Sequence, residues 1–188
     1  MSDVQVFYQA TPNPDSMKFI VDRNIASENV NFTTQEAAAR SPLAVKILGF
    51  PWAAGVFIGV NFVTVTKQNW VEWEILADPL TDLIKEHLTG GLPVLNAETG
   101  TVAASGDEDS PDDSPVVLAI KKIIREEIKP AVAMDGGDIT FDRFESGKVY
   151  LNMHGACSGC PSSALTLKEG IETRLKAAIP EVQEVVAV

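Results

Sequence analysis

At 188 residues with 45% hydrophobic side chains, the chain is long enough for one large core or two small ones. A formal net charge of −11 excludes non-specific nucleic-acid binding, which needs Lys and Arg against phosphate. The charge is uneven: residues 1–95 carry 6 basic and 10 acidic groups, residues 96–114 carry none and 6, and residues 115–188 carry 9 and 10. More than half of the excess therefore lies in one short stretch, and both flanks are nearly balanced.

In chain order, Met1-Ser2-Asp3-Val4 lacks the basic segment and apolar core of a secretory signal, and no apolar run is long enough to span a membrane. Val4–Gln9 and Met17–Val21 read as strands joined by Thr11-Pro12-Asn13-Pro14. Two prolines stiffening that connection is a stronger reading than a recognition loop. Ser41-Pro42 opens a short helix to Leu48, Gly55–Lys67 reads as a hairpin, and Pro79–Leu88 is a helix stopped by Gly90-Gly91. His87, at that helix end, reads as a surface residue. Trp52, Trp70 and Trp73 read as core or scattered surface rather than a partner-binding patch. Residues 96–114 are rich in Gly, Ser, Asp and Pro and too poor in apolar groups to offset their ordering entropy, so they read as a flexible acidic linker.

The following part has the order α-β-β-α-β. Ser114-Pro115 starts a helix with Val116, Val117, Ile120, Ile123, Ile124 and Ile128 at helical spacing, which Pro130 should kink or end. Asp135-Gly136-Gly137-Asp138 is a turn, with Gly136 or Gly137 supplying positive φ rather than Asp135 and Asp138 forming a carboxylate pair. Ile139–Phe144 and Lys148–Met153 are strands around Glu145-Ser146-Gly147. Ser162–Ile179 is a helix with Ala164, Leu167, Ile171, Leu175 and Ala178 on one face, and Val182–Val188 is a last strand. The expectation is an α/β chain of the α+β kind. It has two small mixed domains, 1–95 and 115–188, with the linker 96–114 between them.

The only two cysteines are Cys157 and Cys160, in Cys157-Ser158-Gly159-Cys160-Pro161 at a strand-to-helix turn. Two close cysteines in a long chain read as metal-binding or redox-active in a reducing cytosol. Gly159 lets the loop turn tightly, and Pro161 places Cys160 near a helix N-terminus, where free N–H groups and the dipole favour thiolate. A metal or iron–sulfur centre takes four protein ligands, so the pair works with a second copy or partner, or does two-electron thiol chemistry alone. A four-thiolate zinc site across two chains is a further reading. A thioredoxin-like sheet is disfavoured, because only 28 residues follow Cys160. His154 gives His-x-x-Cys-x-x-Cys and reads as a strand residue beside the site, tuning it by hydrogen bonding, more than as a ligand.

Met134-Asp135-Gly136-Gly137-Asp138, Gly155 to Ser163, Thr166 to Glu172 and Ile179-Pro180-Glu181-Val182 resemble the C-terminal domain of NifU, the Nfu family, over residues 116–188. Thr11 to Pro14, Lys18-Phe19, Ser41 to Ala44 and Phe62 to Lys67 resemble the N-terminal domain of mitochondrial-type Nfu proteins. The resemblance implies a non-enzymatic iron–sulfur scaffold or carrier. In it Cys157 and Cys160 join the same pair of a second subunit around a [4Fe–4S] cluster, which passes to apo-proteins. The implied partners are a homodimer mate, apo recipients of the aconitase and lipoyl synthase kind, and an upstream assembly scaffold, with neither nucleic acid nor membrane. Ligand count alone does not separate [4Fe–4S] from [2Fe–2S]. By analogy the N-terminal domain selects or orients partners. The transit peptide of mitochondrial members is missing, so the expected location is the cytoplasm, of bacterial type. The alternative function is a thiol-disulfide oxidoreductase using Cys157 and Cys160.

Overall fold

The computed structural model describes residues 4–96, 108–158 and 161–188, and for residues 161–164 the backbone alone. The chain divides into two compact units, 1–101 and 102–188, and mixes helix and strand in each, an α+β fold.

In the first unit, β1 (Val6–Ala10), β2 (Ser16–Val21), β3 (Val30–Phe32), β4 (Ala53–Ile58) and β5 (Phe62–Lys67) form an antiparallel sheet in the order β1-β2-β5-β4-β3. Alternate residues Met17, Phe19 and Val21 of β2, Val56 and Ile58 of β4, and Val63 and Val65 of β5 share one core. This is the period of two that a pleated strand imposes. Leu43, Ala44 and Ile47 of α1 (Pro42–Leu48) and Leu76, Leu80 and Ile84 of α2 (Trp73–Thr89) cover that face. Ser41 caps α1 as expected, accepting from Ala44 N at 3.1 Å, and its own hydroxyl donates to Val94 O at 2.7 Å.

Helix α2 begins six residues before the expected start, so Pro79 lies inside it. Leu76 and Leu80 bury on the same face, and that packing outweighs the hydrogen bond a proline forgoes. Strand β3 and a short 3-10 turn at Ala37–Arg40 have no counterpart in the sequence reading. His87 is buried, not superficial, with 1% of its surface exposed. Trp70 is exposed, Trp52 stacks on Phe50, and Trp73 donates Nε1–H to Pro14 O at 2.9 Å.

In the second unit, Ser114 accepts from Val117 N and starts α3 (Pro115–Ile123). Pro130 does not end the helix. A π turn over Ile124–Ile128 leads into α4 (Lys129–Met134), with Lys129 N–H bonded to Ile124 O, five residues back. Ile120, Ile124, Ile128 and Val132 all reach the core. In an ordinary helix each four-residue step overshoots a turn by about 40°. The wider π turn takes back part of that drift, keeps the stripe on one face, and accommodates a residue without an N–H.

Strands β6 (Gly137–Glu145) and β7 (Lys148–Gly155) form a hairpin whose loop residues Ser146 and Gly147 have φ of 52° and 79°. Two positive φ values match the twist of the flanking strands. After α5 (Pro161–Ala178), β8 (Glu184–Ala187) pairs parallel to β7, giving the order β6-β7-β8. Ile171 and Leu175 of α5 and the following Ile179 enter the core, whereas Ala178 is exposed. The acidic stretch 96–114 lies partly outside the described residues. Its last part is not free: Asp113 pairs with Lys121 at 2.7 Å and Asp109 with Arg125 at 3.4 Å.

Candidate metal centre

The site forms where β6 begins and β7 ends. Gly137 pairs with Gly155, and Asp138 with His154. Gly136 has φ of 80° and Gly155 of 63°, so the positive φ expected of the Gly-Gly turn belongs to Gly136. The chain leaves β7 through a tight turn. Ala156 N–H reaches Gly136 O at 3.2 Å, Cys157 N–H reaches His154 O at 3.4 Å, and Ser158 N–H reaches Gly155 O at 3.1 Å. The Ser158 hydroxyl also donates to Gly155 O at 2.9 Å. Helix α5 follows from Pro161, so the Cys-x-x-Cys stretch does lie between a strand and a helix.

Cys157 is 5% exposed and belongs to the same core as Ile139, Leu151 and Ile171. Burial pushes its thiol up to about 12, and the charges of Asp135 and Asp138 push the same way. For Cys157 this is opposite to the thiolate-favouring environment that the sequence suggests for the motif. Cys160 lies outside the described residues.

Asp138 is buried and ties the start of β6. Its Oδ1 accepts from Ile139 N at 2.9 Å and lies 3.4 Å from Lys129 Nζ. Asp135 follows α4 as its C-cap. His154 Nε2 is 3.2 Å from Thr140 Oγ1 across the hairpin. Among the described residues, no group of three His, Cys, Asp or Glu side chains is placed to hold a metal ion. Cys157 is the described soft donor, and thiolate donors are the kind iron–sulfur clusters use. No described helix is long and apolar enough to cross a membrane. Sequence reasoning found Cys157 by motif but missed Gly137 as its packing partner, since glycine before a strand signals a turn and not a neighbouring sulfur.

A family model described as a NifU-like domain matches residues 120–186, and one described as the N-terminal part of the scaffold protein Nfu/NifU matches residues 6–91. The chain is 40% identical over 179 residues to the human protein named NFU1 iron-sulfur cluster scaffold homolog, mitochondrial, covering 94% of this chain and 69% of that one. It is 40% identical over 184 residues to the protein of the same name from Drosophila erecta, at 94% and 62% coverage. With NifU-like protein 4, mitochondrial, of Arabidopsis thaliana it shares 41% over 180 residues, at 94% and 63% coverage. The chain thus spans about two thirds of the length of these relatives. A solution structure of a NifU-like protein from Saccharomyces cerevisiae aligns with a TM-score of 0.45 at 22% identity, over 50% of this chain and 87% of that one. The relatives' names overturn the expectation of a bacterial-type cytoplasmic protein: these three, each matched over 94% of this chain, are named mitochondrial. A missing leader pattern in Met1 to Val4 was too slight a basis for that expectation.

Proposed function

Because the chain belongs to the Nfu family of NifU-like iron–sulfur scaffold proteins, we propose that it carries an iron–sulfur cluster as cargo and hands it to apo-proteins. Cys157 and Cys160 are the ligands, and the same pair on a second copy completes a four-thiolate site around one [4Fe–4S] cluster. The observation that carries this reading is the Cys-x-x-Cys stretch at the turn between β7 and α5, in a chain with no other cysteine. Two thiolates per chain leave a cluster half-ligated, so retention depends on association of two copies. Loosening the pair then exposes the cluster to an acceptor. In this reading the chain is a carrier, not a catalyst, and it works in the mitochondrion, as its relatives' names suggest.

A thiol-disulfide oxidoreductase finds less support. Cys157 is buried, and the relatives that match most of the chain are named scaffold proteins.

Anaerobic native mass spectrometry after reconstitution with iron and sulfide tests the proposal. The expected species is a dimer with four irons and four sulfides, absent in Cys157→Ala and in Cys160→Ala. A monomer with an internal disulfide, or a sulfide-free zinc dimer, would refute it. A cluster never released to an apo-acceptor would refute the carrier role.

A further inference from the structure

We propose that Gly137 is a positioning residue that stores the Cys157 sulfur in a retracted position, and that loading requires the turn Ala156–Ser158 to swing that sulfur outward. The inference rests on the reading of Cys157 as a cluster ligand.

Gly137 is not glycine for the sake of its backbone. Gly136, Gly155 and Gly147 have positive φ, whereas Gly137 is absent from the positive-φ residues and sits in regular β pairing with Gly155. What it supplies is room. A Cβ at this position falls 2.2 Å from Cys157 Sγ, far inside van der Waals contact. The sulfur therefore lies over the bare face of Gly137, within the core of the second unit. There it is shielded from solvent and from any second chain, so a shared cluster cannot be ligated while it stays.

The bond from Cys157 N–H to His154 O is long, at 3.4 Å, and outward motion must also release Ala156 N–H from Gly136 O at 3.2 Å and Ser158 N–H and hydroxyl from Gly155 O at 3.1 and 2.9 Å. Gly155, at φ of 63°, supplies a residue where the backbone turns easily just before the moving segment. Outward motion gives up the packing of one sulfur and gains metal ligation. Cluster uptake thus selects the presented state from an equilibrium that favours the retracted one.

The test uses the full chain with Cys160→Ser, so that Cys157 is the one thiol. Its alkylation by iodoacetamide is followed natively and in urea at the same pH. The expected native rate is roughly 100-fold slower than in urea, reporting transient opening. Gly137→Ala removes the retracted position and should speed native alkylation about tenfold. With Cys160 restored, the same substitution should speed cluster uptake, which a merely structural role would not do. The new Cβ also approaches His154 O at 2.9 Å and Cys157 N at 3.1 Å, so this variant is checked for folding. Ser158→Ala, which removes the hydroxyl bond to Gly155 O, should also speed alkylation, with at most a small drop in melting temperature. Equal native and urea rates with Gly137 in place overturn the retraction, whatever the variants do. A cluster without protection overturns the retraction alone, and protection without a cluster overturns the ligand reading.

Discussion

His87 is held as a neutral imidazole. It is almost fully buried, and its Nε2–H donates to Pro93 O at 3.0 Å, since a carbonyl can only accept. Nδ1 has no partner among the described residues. Burial lowers its pKa below the usual 6.5, and the charge of Lys46 adds to the effect. The sign follows: below pH 6.5 the unfolded chain takes up a proton that the folded chain refuses. Stability is unaffected by this group above about pH 6.5 and falls as the pH drops below it. Urea midpoints measured from pH 7.5 to pH 5 should decline more steeply in the native chain than in His87→Gln. Parallel profiles would show that His87 does not titrate this way. None of this was legible in the sequence. A lone histidine next to a helix-ending Gly-Gly looks solvated, and nothing local foretells that the Pro93 carbonyl returns to meet its ring.

Among the elements, the helix caps were the most legible feature, because Ser-Pro fixes both the cap oxygen and the first helical φ. The two caps differ in what they hold. The Ser41 hydroxyl is buried and serves Ala44 N and Val94 O together, while Ser114 is exposed and, among the described residues, its side chain serves Val117 N alone. Ser41→Ala should cost about 2–3 kcal/mol, losing the cap and stranding a buried carbonyl, whereas Ser114→Ala should cost about 0.5–1 kcal/mol. Equal costs from denaturant curves would contradict this account. Pro79 does not start α2 but sits inside it, while of the two outcomes expected at Pro130, a kink or an end, the helix shows no end but a π turn just before the proline; apolar stripes on both sides of each proline still reach one core. A local rule yields where tertiary burial is worth more than one hydrogen bond.

For the whole molecule, the two separate cores lead us to propose that residues 1–95 and 115–188 are domains that unfold in their own transitions. Ile47→Ala should then weaken only the first by about 2–5 kcal/mol, and Leu175→Ala only the second, as followed by hydrogen exchange of each core. A loss of protection spread over both cores would contradict the division. The mixed α+β character and the α-β-β-α-β order were readable from periodicity and turn residues. The state of Cys157 was not. A Cys-x-x-Cys motif states which atoms are available, but whether a sulfur faces solvent depends on Gly137, twenty residues earlier, crossing beside it.

The parallel pairing of β8 with β7 also sets an order of events in folding. The β6–β7 hairpin closes through two residues, a microsecond event, whereas Lys148–Leu151 meets Glu184–Ala187 only after α5 has formed a crossover. Cys157 lies inside the loop that this late pairing closes. A chain that has made its hairpin but not docked β8 has the strand leading to the thiol but an incomplete core to bury it.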